Sequence, residues 1–218
     1  MTPYSPPPFS GLDILYQDDY LLALSKPSGL LSVPGKGEEK QDCLSSRVQQ
    51  QFPFAVVVHR LDLGTSGVMV MALNKDIQGR LGKLFEQRKV DKRYEAVVTG
   101  HLQPESGLID LPLITDWPNR PKQKVDHETG KPSQTRYRLM DYSDQHDVSR
   151  VELLPETGRS HQLRVHMMAL GHPILGDELY ADPETVAKAD RLLLHASCLH
   201  FPHPVTEEPI TINSEVPF

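Results

Sequence analysis

The chain has 218 residues, 38% hydrophobic and 24% charged, which suits a folded globular protein with a sizeable core and argues against intrinsic disorder. No apolar run approaches the roughly 20 residues that span a bilayer, and the start has neither the basic flank nor the apolar centre of a signal peptide. Two cysteines, Cys43 and Cys198, are too few for a disulfide framework and lack metal-ligand spacing, so the cytoplasm is the expected compartment.

Net charge is −6, yet residues 177–218 hold 2 basic and 8 acidic side chains and account for the whole excess. Two segments are positive instead: Lys75–Arg93 has 7 basic and 3 acidic residues, and Arg120–Arg138 has 6 and 2. Such segments suit a phosphate backbone, although a solvated, salt-bridged helix face is the ordinary alternative for the first.

In chain order, residues 1–11 form a proline-rich lead, with Pro3–Pro8 expected to be extended and mobile. Leu12–Leu24 reads as a hairpin turning at Asp18-Asp19, and Lys26-Pro27-Ser28-Gly29 breaks it. Asp42 is placed to cap a helix carrying Leu44, Val48 and Phe52. Val56–Val58 and Val68–Val70 read as short buried strands around a polar turn, with glycines 64 and 67 relieving the backbone. Ile77, Leu81, Leu84 and Phe85 form one apolar helical stripe, with Arg80, Lys83 and Arg88 on the outer side. Strands are expected over Lys92–Val98, Leu108–Ile114, Ser133–Met140, Val148–Leu153, Leu192–Leu199 and Ile210–Ile212. The prolines of Trp117–Lys124 argue for a loop. A helix follows from a cap at Ser160, with Leu163, Met167 and Leu170 inward and Gly171 as its stop. Many strands and few short helices imply an α+β fold with a mixed, mostly antiparallel sheet.

Asp62 sits at a strand-to-loop junction beside Arg60, where a working carboxylate is well held; a turn with self-capping side chains is the plain alternative. His59-Arg60-Leu61-Asp62, followed by Thr65-Ser66-Gly67, resembles the signature of the RluA family of RNA pseudouridine synthases. A second match is Thr157-Gly158-Arg159-Ser160-His161-Gln162-Leu163-Arg164-Val165-His166, and a third is Tyr94. Lys26–Leu30, Gly171–Asp177 and Leu194–Ala196 extend the likeness over roughly residues 12–204. The resemblance implies a pseudouridine synthase fold with a central catalytic cleft over 12–218, without an additional RNA-binding module.

It also implies that Asp62 is catalytic, that Arg164 pairs with it, and that Tyr94 stacks on the target base. A guanidinium beside a carboxylate keeps it ionised, whereas a structural ion pair is the alternative for Arg164. The expected substrate side comprises Arg60, His59, Thr65 and Leu163, with Arg120, Lys122 and Lys124 on the basic loop. Residues 116–124 strengthen the likeness to the dual-specificity branch that acts on 23S ribosomal RNA and tRNA stem-loops. The expected partner is therefore RNA, with no membrane, no obligatory protein partner, no cofactor and a monomeric state. His161, His166 and His195 invite a metal, but the His-x-x-x-x-His spacing splays two rings on a helix, so no metal is expected. Two other readings use the same residues. Leu-Asp-Leu-Gly-Thr-Ser also looks like the phosphate loop of actin-like kinases, although the chain is short for two such lobes and shows no adenosine motif. A non-catalytic RNA-binding protein is the other.

Overall fold

The computed structural model describes residues 4–218, and the chain divides into two compact units. Residues 1–91 with 196–217 form the first; residues 92–195 with Phe218 form the second. Most strand pairings are antiparallel, as the many-strand, few-helix pattern leads one to expect.

In the first unit the predicted hairpin is present as β1 (Ile14–Gln17) and β2 (Leu21–Lys26). The Asp18 carboxylate accepts the amides of Tyr20 and Leu21 and so closes its turn. β2 pairs with β4 (Ser66–Ala72), every residue of which is buried, and β3 (Val56–Val57) pairs with β4 at Met71 and Ala72. β3 is only half-buried, unlike the buried strand expected there. β12 (Pro209–Asn213) pairs with the part of β11 (Leu194–Pro202) that belongs to this unit.

β4 carries side chains to two cores, because successive residues of a strand face opposite ways. Val68 and Val70 join Leu21, Ala23 and the α2 (Lys75–Glu86) residues Ile77 and Leu81; Met69 and Met71 join Leu22, Leu24 and the α1 (Leu44–Gln49) residues Leu44 and Val48. The apolar stripe read from α2 is thus the face that packs, while Arg80, Lys83 and Arg88 are exposed.

The cap of α1 differs from expectation. Cys43 is the N-cap and exchanges two bonds with Ser46, because the Asp42 carboxylate is taken by Arg47 at 2.7 and 2.8 Å. The proline-rich lead is also tied down from Tyr4 onward. The Tyr4 hydroxyl donates to the Asp42 carbonyl at 2.8 Å and accepts the Leu31 amide at 3.1 Å. Arg47 donates to the Pro7 carbonyl at 2.7 Å and lies over the Phe9 ring. Residues 1–3, including the start of the expected lead, lie outside the described residues.

In the second unit, β5 (Asp91–Thr99), β10 (Val148–Pro155), β9 (Gln134–Ser143) and β6 (Ser106–Asp110) lie side by side, each antiparallel to the next. The single strand expected over Leu108–Ile114 is two. Pro112 has no amide to donate, and after it the chain leaves β9 to form a separate hairpin, β7 (Leu113–Thr115) with β8 (Gln123–Val125). Trp117–Asn119 form one helical turn at the tip of that hairpin, so the expected loop is more ordered than its prolines suggest.

The helix α3 (Gln162–Ala169) begins later than expected. His161, not Ser160, precedes it, in a left-handed conformation at φ 55° and without a side-chain cap bond. Leu163 and Met167 face the core as predicted, whereas Leu170 is 37% exposed. Gly171, at φ 85°, ends the helix. A short helix, α4 (Pro183–Ala187), has no counterpart among the expected elements; Asp182 caps it. Among the described residues no helix is long and apolar enough to cross a membrane.

Candidate active site

In the first unit, His59, Arg60, Asp62 and Thr65 share the segment joining β3 to β4. Asp62 itself is half-buried, but the residues on either side of it are clamped by the turn after β2. The Ser32 hydroxyl donates to the Leu61 carbonyl at 2.7 Å and accepts the Leu61 amide at 3.1 Å. The Gly29 amide donates to the Leu63 carbonyl at 2.9 Å, and Ser28 donates to the Gly64 carbonyl at 2.7 Å. Lys26 is fully buried, and its ammonium holds the carbonyls of Leu30, Pro27 and Leu63 at 2.6, 2.9 and 3.2 Å. The buried ammonium thus reaches carbonyls of both loops.

Within the loop, the buried Thr65 donates its amide to the Asp62 carbonyl at 3.2 Å. His59 accepts the Val70 amide on Nε2 at 2.9 Å and stacks on Phe85 at 4.6 Å, which assigns its ring proton to Nδ1. Arg60 is exposed. Gly67 has φ 109°, and a Cβ there would lie 2.2 Å from the Ala196 carbonyl oxygen, so no other residue fits where the loop enters β4.

In the second unit, Tyr94 lies on β5 opposite Leu153 and packs, partly buried, against the same apolar cluster as Leu163. Arg164, one residue further along α3, is buried. Its Nε and Nη2 bind the Asp177 oxygens at 2.8 and 2.6 Å, and its guanidinium lies 5.1 Å from the Tyr180 ring centroid. Asp177 also accepts the amides of Leu179 and Tyr180. The Tyr180 hydroxyl accepts the Gln123 amide at 2.8 Å and meets His161 Nδ1 at 2.6 Å. Arg120, Lys122 and Lys124 stand on the β7–β8 hairpin, which Tyr180 therefore ties to the arginine's surroundings.

Asp177 and Tyr180 are not among the residues the motifs single out, although Asp177 closes one of the matched stretches. The available signal is an acidic residue at the end of the Pro173–Gly176 run, 13 positions after an arginine that, once buried, needs a carboxylate. The start of α3 is held by Gln162, whose side chain joins Thr157, the Arg159 amide, the Gln134 carbonyl and Thr135. His166 is fully buried between Thr135 Oγ1 at 2.9 Å and the Leu111 carbonyl at 3.0 Å. Burial pushes its pKa down, against the raising effect of the Leu111 bond. His161 and His166 therefore both have polar partners, and among the described residues no group of three His, Cys, Asp or Glu side chains is placed to hold a metal ion.

The family model for RNA pseudouridylate synthase matches residues 20–169. The chain is 54% identical over 218 residues to the dual-specificity RNA pseudouridine synthase RluA of Escherichia coli (strain K12), covering 100% of this chain and 99% of that one. It is 54% identical over 205 residues to the Yersinia pestis protein of the same name, covering 94% of this chain and 99% of the relative. Among solved structures it resembles human RNA pseudouridylate synthase domain containing 1, with a TM-score of 0.81 and 30% identity over 98% of this chain and 87% of that one. Human RNA pseudouridylate synthase domain containing 4 gives a TM-score of 0.74 and 27% identity, covering 94% of this chain and 88% of the neighbour.

Proposed function

The chain belongs to the RNA pseudouridylate synthase family, and within that family we propose that Asp62 is the acting carboxylate of a uridine-to-pseudouridine isomerase. The reaction breaks the N-glycosidic bond, turns the uracil, and joins its C5 to the same sugar carbon. The proton displaced from C5 leaves to solvent, and the freed N1 takes one up in its place, so the composition is unchanged. A base cannot be turned inside a stacked helix, so the target uridine is flipped out first.

The observation that carries this reading is the clamp around Asp62. Ser32, Gly29, Lys26 and Ser28 fix Leu61, Leu63 and Gly64, so the acid between them is presented on backbone that does not need to be ordered during the reaction. Tyr94 is the proposed shelf for the flipped base, and Arg164 the proposed guanidinium partner of Asp62. Arg60, His59, Thr65 and Leu163 complete the substrate side, and Arg120, Lys122 and Lys124 follow the phosphates. The proposed substrates are stem-loops of 23S ribosomal RNA and of the tRNA anticodon arm, modified by a monomer in the cytoplasm.

The test is tritium release from RNA labelled at uridine C5. Wild-type protein releases tritium from both stem-loops; Asp62→Asn binds them with unchanged affinity and releases none. An active Asp62→Asn protein refutes the catalytic assignment. Wild-type binding without release would favour a non-catalytic RNA-binding role.

A further inference from the structure

We infer that Trp117 is a stacking platform for a second, unpaired base of the substrate RNA, separate from the uridine assigned to Tyr94. The inference rests on the RNA-modifying function proposed above and adds to it a contact on the β7–β8 hairpin.

Trp117 is 67% exposed, although burial is the usual fate of so large an apolar ring. It is nevertheless held in place. The Asp116 amide donates to the Lys122 carbonyl at 2.9 Å, and Asn119 and Lys122 donate in turn to Asp116 and Asn119 at 3.0 Å each. The Asn119 side chain also donates to the Asp116 carboxylate at 2.8 Å. Behind the tip, the Gln123 amide is fastened to Tyr180. The exposed ring therefore stands on ordered backbone, and less conformational freedom is lost when a ligand settles on it.

Charge decides the occupant. The Arg120 guanidinium lies 4.6 Å from the Trp117 ring centroid, and Lys122 and Lys124, the latter 3.6 Å from the Asp126 carboxylate, follow on the same hairpin. Phe54 is more exposed, at 81%, but its neighbours Gln51, Phe52, Pro53 and Ala55 bring no positive charge. An aromatic plane with a guanidinium over it, on a hairpin that carries two lysines further along, is the combination that takes a base on the ring and phosphates on the charges. With Arg120 over one face, the base stacks on the other. Only an unpaired base can do so, because A-form duplex keeps its bases stacked on each other.

Trp117 is the only tryptophan in the chain, so the emission of the unmodified protein reports on this residue alone. The protein is titrated with a stem-loop RNA whose loop holds a target uridine, following anisotropy of labelled RNA and tryptophan emission in parallel. Loop RNA should quench the emission with the midpoint given by anisotropy, and a fully paired duplex of equal length should not. Trp117→Ala should weaken loop binding about tenfold and Trp117→Phe less, with unchanged circular dichroism. Loop RNA that binds without altering the emission, or that binds Trp117→Ala as tightly as wild type, overturns the platform while leaving the proposed activity standing. Absence of RNA binding by wild-type protein overturns both.

Discussion

Arg164 and Asp177 face each other fork to fork, Nε to Oδ2 at 2.8 Å and Nη2 to Oδ1 at 2.6 Å, with side chains 8% and 1% exposed. Charged pairs of this geometry are short and directional, and they hold a guanidinium in one orientation. In this pair the carboxylate is itself fixed by two backbone amides, so the orientation of Arg164 is set by the turn that follows Gly176.

Removing one member of such a pair costs more than removing both. Asp177→Asn should destabilise the protein by about 3–5 kcal/mol. The double replacement Arg164→Met with Asp177→Leu should recover much of that loss in urea denaturation yet release no tritium from labelled RNA. If the double variant is active, Arg164 serves the fold and not the reaction.

Ser32 satisfies both the amide and the carbonyl of Leu61 through one hydroxyl. Ser32→Ala leaves a buried amide without that partner, a loss of about 1–3 kcal/mol. Turnover at saturating RNA should fall further than this loss of fold explains, while RNA affinity holds, and Ser32→Thr should restore part of the turnover. Equal activity of wild type and Ser32→Ala would show that the clamp does not set the position of Asp62.

Two glycine replacements should move stability in opposite directions. Gly67→Ala puts a methyl group against the Ala196 backbone at a positive φ and should abolish soluble expression. Gly79, inside α2, has nothing within 4 Å of an added Cβ. Gly79→Ala should therefore raise stability by about 0.5–1 kcal/mol, read as a shift in the urea midpoint at constant slope.

His166 should make stability depend on pH. Burial lowers its pKa below the ordinary value of 6.5, so the unfolded chain takes up a proton more readily than the folded one. Its contribution is complete above about 6.5 and is lost as pH falls through that value and toward the depressed folded pKa. In urea melts at stepped pH, His166→Asn should flatten this part of the curve.

The elements that a local pattern dictates are legible in the amino-acid order itself. The β1–β2 hairpin follows from Asp18 at its turn, and α2 from a stripe whose period matches the helix. The boundaries that shift are those where a distant partner decides. Asp42 looks like a cap but is drawn away by Arg47, leaving the role to Cys43. Ser160 is a good capping residue, yet the left-handed turn at His161 delays the helix. At Pro112 the apolar run continues while the hydrogen-bond ladder cannot, so one strand becomes two.

At the candidate site, the motifs point to Asp62, Tyr94 and Arg164 by resemblance. The groups that hold the flanking backbone and the arginine lie further off. Ser32 is 29 positions from Leu61, and Asp177 is 13 from Arg164, separations that no helical or strand period encodes. The anchoring of Tyr4 on Asp42 spans 38 positions and is hidden for the same reason.

The buried ammonium of Lys26 has a practical consequence. An amine-directed reagent meets the exposed lysines at once, but it reaches this one only when the surrounding turn lifts away. Under native conditions, the pace of its labelling would time the spontaneous opening of the segment that presents Asp62, in a protein that needs no engineered probe for the purpose.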